Sequence, residues 1–163
     1  LFYNNVLIGN FANFIYRVLN LAKKKSSFSF SDLENQVIET IIKKIKETKK
    51  ELWNCCFKNY SQKIIEISDF GNKYLQEKRP WEIKNEKEKK KILTNALFIV
   101  LALMLLEKPF LIETDKKLSL MTNIKINSWP ENEKELLFSL LKKIKVQFCK
   151  PLFQKRKRED FNI

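Results

Sequence analysis

Histidine is absent from the 163-residue chain, and glycine occurs only twice, at Gly9 and Gly71. Without histidine there is no Ser-His-Asp or Cys-His pair, no usual general base and none of the commoner zinc sites. Two glycines so far apart exclude a P-loop and a dinucleotide fingerprint. With only four prolines besides, tight turns are too few for a β-sandwich or a doubly wound sheet, and helices are favoured. Three cysteines, the adjacent Cys55 and Cys56 and the distant Cys149, form neither an even set nor a metal-ligand spacing. They fit a reducing compartment. No signal peptide is visible.

Hydrophobic residues make up 44% of the chain and charged residues 31%, enough for one domain with a real core. The balance of 32 Lys+Arg against 19 Asp+Glu gives a formal charge of +13. Such an excess attracts polyanions, either nucleic acid or an anionic membrane surface. It also matches a general bias toward Asn, Lys and Ile. The eleven apolar residues from Ala96 to Leu106 fall short of the ~20 that a membrane span needs. They describe the buried centre of a bundle. The chain opens at Leu1, in an apolar-periodic segment, as expected of a piece of a longer protein or of a processed one.

Periodicity predicts a first helix over 1–25, with Phe2, Val6, Phe11, Phe14, Ile15, Val18, Leu19 and Ala22 on its apolar face and Lys23 to Lys25 at its end. Ser31 is the expected cap of a second helix, whose stripe is Leu33, Val37, Ile38, Ile41, Ile42 and Ile45. A third runs from about Trp53 to Lys78, either separate from the second or continuous with it. Its buried candidates are Cys56, Phe57, Tyr60, Ile64, Ile67, Phe70, Tyr74 and Leu75. Pro80 stops it and keeps Arg79 out of the helical region. A fourth helix begins near Asn85, with five lysines from Lys84 to Lys91, and ends before Pro109; Phe110–Met121 and Glu131–Leu141 are two shorter ones. From Lys142 to Arg158 there are eight basic residues and no acidic one. The expected architecture is therefore an all-α antiparallel bundle of about five helices over 1–141, with an extended basic segment over 142–163.

No catalytic constellation is present: Glu34, Glu39, Asp69 and Glu82 lie among lysines and read as solvated carboxylates. What remains is a set of binding features. Asn10 carries an amide able to hydrogen-bond a base edge through both donor and acceptor. Trp81 offers a flat face, and stacking an unpaired base on it is worth about 1–3 kcal/mol. Arg17, Arg79, Lys84 and Lys87 are candidate phosphate contacts. Together these suit a single-stranded RNA loop. Each also has a structural explanation: Gly9 for close packing, Asn10 as a satisfied amide, Trp81 as a plug in the bundle end, and the lysine run as a solvated face.

Four segments, in order, give the chain a family likeness: Ile8-Gly9-Asn10-Phe11-Ala12-Asn13; Ile67 to Gln76 (ISDFGNKYLQ) with Pro80-Trp81 beyond it; Lys108-Pro109-Phe110-Leu111; and Lys150 to Lys155 (KPLFQK). They resemble the anticodon-binding helical domain of methionyl-tRNA synthetases of the archaeal and eukaryotic type. The resemblance covers nearly the whole chain and implies a class I synthetase-type helical domain that grips the methionine anticodon loop of its tRNA. It also implies an upstream catalytic domain of the same chain, working with ATP and Mg and carrying HIGH and KMSKS signatures that do not occur here. This chain alone would be non-catalytic, without metal or membrane partner, and cytoplasmic, with an organellar home left open. Asn10 matches the family's anticodon-contacting Asn, and Trp81 its base-stacking Trp. Phe14 stands where the family has Arg, and Arg17, seven residues after Asn10, is the candidate substitute. Ile112-Glu113 replaces the family's proline after Pro-Phe. The alternative is a stand-alone helical RNA-binding or protein-interaction module.

Overall fold

Apolar side chains that recur every three or four residues make helices, and the apolar faces then dictate how the helices stack. The computed structural model describes residues 3–23 and 27–154. A π-helical stretch, Tyr3–Ala12, leads into α1 (Asn13–Ala22). After a 3-10 turn at Phe30–Asp32 come α2 (Asn35–Trp53), α3 (Phe57–Lys78), α4 (Glu86–Glu107), α5 (Ile112–Thr122) and α6 (Glu133–Lys143). Among the described residues there is no strand, and the architecture is an all-α bundle. Among the described residues it has six α-helices, against the about five expected. No described helix is long and apolar enough to cross a membrane.

Helix α4 is the axle. Every residue from Ile92 to Glu107 is buried, and α1, α2, α3, α5 and α6 all pack on it. Its entry is capped by Asn85, whose Oδ1 accepts from the backbone N–H of Lys87 and Glu88. Around it, α2 buries Val37, Ile41 and Ile45, as its stripe predicts. Helix α1 buries Phe14, Ile15, Val18, Leu19 and Ala22. Phe2, Lys24 and Lys25 lie outside the described residues.

Three boundaries differ from expectation, each for a local reason. The expected Ser31 cap does not form: α2 begins at Asn35, and Ser31 lies in the 3-10 turn. A buried amide on α4 does the work instead, with Asn95 Oδ1 accepting from Glu34 N at 2.8 Å and Nδ2 donating to Asp32 O at 3.1 Å. Helices α2 and α3 are separate, one of the two arrangements expected, but α3 starts at Phe57 and not near Trp53. Cys55 turns left-handed at φ 57°, its N–H bonds Leu52 O at 3.0 Å, and Cys56 N–H bonds Glu51 O at 2.9 Å. That pair of bonds is a Schellman stop. Because α3 starts only at Phe57, Cys56 and Phe57 are exposed and not buried; Phe57 packs edge-on against Phe110 with centroids 5.7 Å apart. The π winding of Tyr3–Ala12, where an α-helix was expected, accompanies the engagement of Asn10 by α3 described below.

The segment after α6 is extended, yet it belongs to the bundle. Lys145 N–H and Gln147 N–H donate to Thr122 O and Met121 O at 3.0 and 2.9 Å. Lys117 Nζ donates to Leu152 O at 2.9 Å, and Leu152 is buried. Residues 144–154 thus strap the end of α5 toward α1, where Cys149 Sγ meets Tyr16 O at 3.5 Å. Residues 155–163 lie outside the description.

Helices α1 and α3 approach closely at Gly71. A Cβ built on Gly71 would lie 2.4–2.7 Å from three ring carbons of Phe14, which is itself fully buried. Gly71 is therefore required by the Phe14 ring, whereas Gly9 is exposed. Gly71→Ala should destabilise the fold by about 1–3 kcal/mol, the usual cost of overpacking, seen as a lower urea midpoint at unchanged slope. An unchanged midpoint would show that the two helices can separate freely.

One carboxyl sits awkwardly in this core. Glu107, the last residue of α4, is buried, and neither oxygen has a hydrogen-bond partner among the described residues. Burial, then the nearby Asp115 carboxylate, push its pKa from the ordinary 4.5 to about 9, with Lys108 opposing. The folded form thus holds a proton that the unfolded chain releases above pH 4.5. Stability from this group is lost as pH rises between about 4.5 and 9. Glu107→Gln should flatten that decline in urea melts between pH 5 and pH 8; an equally steep decline in the variant would place its origin elsewhere.

Candidate nucleic-acid interface

The end of α3 shows how Trp81 reaches the surface. Arg79 takes a left-handed conformation (φ 42°, ψ 58°) and its N–H bonds Leu75 O at 2.9 Å, closing the helix. Glu82 N–H then bonds Arg79 O at 2.9 Å, so Arg79 to Glu82 form a β-turn with Pro80 at its second position, where a fixed φ is favoured. Pro80 is buried and Trp81 is 42% exposed. The ring that would continue a helix is tucked in, and the indole points out.

Arg17 of α1 completes this corner. Its guanidinium carbon lies 5.0 Å from the centroid of the Trp81 ring, a cation–π contact. The two residues are 64 positions apart in sequence, and the packing of α1 on α3 brings them together. Arg79 lies on the same turn, its side chain 62% exposed and 3.6 Å from Glu82. Lys84 and Lys87 are exposed where the chain enters α4. An outward indole, a guanidinium over it and several cations beside it are equipment for a stacked base and its phosphates.

Asn10 is placed differently. Its Oδ1 accepts from Ser68 Oγ at 2.7 Å and from Asn72 Nδ2 at 2.8 Å, and its Nδ2 donates to Asp69. Asn72 also donates to Asn10 O at 3.3 Å. This cluster lies on α3 about eight residues before Lys78, roughly 12 Å back from the Trp81 turn at 1.5 Å per residue. Among the described residues, both acceptor sites of Oδ1 are filled and one Nδ2–H has no acceptor. Phe14 lies between Asn10 and Arg17 along the first helical segment and points into the core against Gly71.

Sequence reasoning missed several of these partners. Asp69 is exposed, as are Glu39 and Glu82, yet it bonds Asn10. Glu34, expected to be solvated, is half-buried and accepts from Tyr74 Oη at 3.2 Å, with Lys78 Nζ 3.6 Å away. Ser68 and Asn72, four apart on a face that is otherwise apolar, were the available signal for a polar partner. If Asn10 is the hub of this cluster, Asn10→Ala should lower stability by about 1–3 kcal/mol, through the donors it orphans. A melt identical to that of the unaltered chain would confine Asn10 to ligand contact.

Residues 26–162 match the family model described as the anticodon binding domain of methionyl tRNA ligase. The chain is 31% identical over 164 residues to the methionine–tRNA ligase of Borreliella afzelii, covering 98% of this chain and 22% of that protein. It is 29% identical over 139 residues to that of Thermococcus kodakarensis, covering 80% and 19%. Against that of Methanopyrus kandleri it is 33% identical over 126 residues, covering 71% and 18%. The chain thus spans about a fifth of the length of these relatives. An all-α bundle that presents an arginine-backed tryptophan, together with a family match over most of its length, places the chain in the family of methionyl-tRNA ligase anticodon-binding domains.

Proposed function

We propose that this domain reads the anticodon loop of a methionine tRNA by stacking an unpaired base on Trp81. The exposed indole held under Arg17 is the observation that carries the proposal. The Arg79–Glu82 turn fixes the direction of the ring, so little side-chain freedom is lost when a base docks. Arg17 covers the ring with positive charge and can reach a phosphate or a base edge with its remaining donors. It stands in for the arginine whose place Phe14 occupies. Arg79, Lys84 and Lys87 supply phosphate contacts. Asn10 contributes its one remaining N–H and otherwise fixes the first helical segment on α3.

In a full-length methionine–tRNA ligase this recognition would serve an upstream catalytic domain that uses ATP and Mg to charge the tRNA. The present chain supplies binding, and the chemistry lies outside it. A cytoplasmic or organellar translation apparatus is the corresponding setting.

Trp81→Ala should weaken binding of a methionine-anticodon stem-loop by the ~1–3 kcal/mol of a lost base stack, roughly 5- to 150-fold. Binding of a stem-loop with a scrambled anticodon should change little. Equal losses on the two hairpins, or none on either, would make Trp81 a structural residue and end the anticodon reading.

A further inference from the structure

The outward stripe of α2 lies apart from the Trp81 corner. Opposite its buried face, Lys43, Lys46, Lys50 and Trp53 recur at helical spacing and all are exposed. The neighbouring lysines are neutralised: Lys44 lies 3.9 Å from Glu66, Lys49 3.0 Å from Glu133 and Lys63 3.6 Å from Glu47. Among the described residues Lys43, Lys46 and Lys50 have no such close ion pair, although Lys46 adds to the positive field that keeps Glu133 ionised, so the less compensated charge is gathered on one line. At the end of that line Trp53 is 68% exposed, and the Schellman turn through Cys55 holds it on the last residue of the helix.

The stripe walls a groove. Two open hollows of about 450 and 490 Å³ share Lys46 and run between α2 and the start of α6, one flanked by Lys43 and Lys134 with Glu39 and Glu47 on its wall, the other by Lys50 and Trp53. Glu131 and Glu133 stand on the second hollow, and Glu133 is already paired with Lys49. The 22-residue α3 separates Trp53 from the Trp81 turn, a span of roughly 33 Å at 1.5 Å per residue.

From this arrangement we infer a second RNA-binding surface: the α2–α6 groove takes the sugar–phosphate backbone of the RNA away from the anticodon loop, with Lys46 and Lys50 on phosphates and the Trp53 face against a ribose or an unpaired base. Backbone contacts of this kind are made by lysines and aromatic rings. A protein partner is disfavoured because lysine is depleted at protein interfaces. A membrane surface calls for a broad apolar face on the helix, which this groove lacks. The surface does not depend on base stacking at Trp81.

Three ligands test it on the 163-residue chain: full-length tRNA with a methionine anticodon, the isolated anticodon hairpin, and phosphatidylserine vesicles. Trp53→Ala should weaken full-length tRNA at least about fivefold and leave the hairpin within twofold, while Trp53→Phe retains most of the affinity. The Lys46→Gln/Lys50→Gln pair should lower the salt slope for tRNA by about 2. Because all three side chains are exposed, unchanged melting curves should confirm that the variants fold. Unchanged tRNA affinity, equal losses on hairpin and tRNA, or a loss confined to vesicles would each overturn the assignment. Trp81→Ala behaves independently: its failure to discriminate anticodons would remove the anticodon reading and leave this groove standing.

Discussion

The contact of the Phe14 ring with the bare backbone of Gly71 sets the geometry on which the candidate site depends. No side chain larger than hydrogen fits at residue 71 without moving that ring. The contact lets α1 lie close along α3, and the residues of the candidate anticodon site lie on either side of it. Toward the start of the chain it seats Asn10 among Ser68, Asp69 and Asn72. Three residues further on it sets Arg17 over Trp81. A bulky apolar ring at residue 14 thus acts as a spacer, and Arg17, the cation proposed for the binding face, follows about one helical turn later.

The price of such a well-buried axle appears at its end. Helix α4 is enclosed on all sides from Ile92 onward, so its last residue, Glu107, is enclosed with it. There, at the last residue of the helix and beside the Asp115 carboxylate, the carboxyl keeps its proton well above the usual range. Asn95, by contrast, is a buried polar side chain on the same helix with every group engaged: it holds Glu34, Asp32 and Lys91. Two polar residues on one apolar helix differ in consequence because one meets partners and the other does not.

Features set by local patterns were legible in the sequence. The stripe of α2, the all-round burial of α4, the breaks near Pro80 and Pro109 and the bundle itself follow from spacing and from the chemistry of proline. Features set by distant partners were not. Asn95 replaces Ser31 in securing the start of α2 from 61 residues away, and the Asn10 cluster joins residues 58 or more apart. The left-handed turn at Cys55 carries no glycine to announce it. Trp81 is the instructive case: proline fixes where the helix stops, but whether the next side chain points in or out depends on which flank of the turn the bundle covers. Here Pro80 is covered and Trp81 is not. Trp53 was harder to place, since whether it ends α2 on the outward stripe or begins α3 depends on a helix stop that the local residues do not advertise.

The claim that matters most is that Arg17 and Trp81 act as one recognition unit. A double-mutant cycle of Arg17→Ala and Trp81→Ala, read as affinity for the methionine-anticodon stem-loop, measures it directly. A working unit gives a double variant little weaker than the worse single one, with a coupling of at least about 0.5 kcal/mol. Losses that simply add would show two independent contacts and contradict the account.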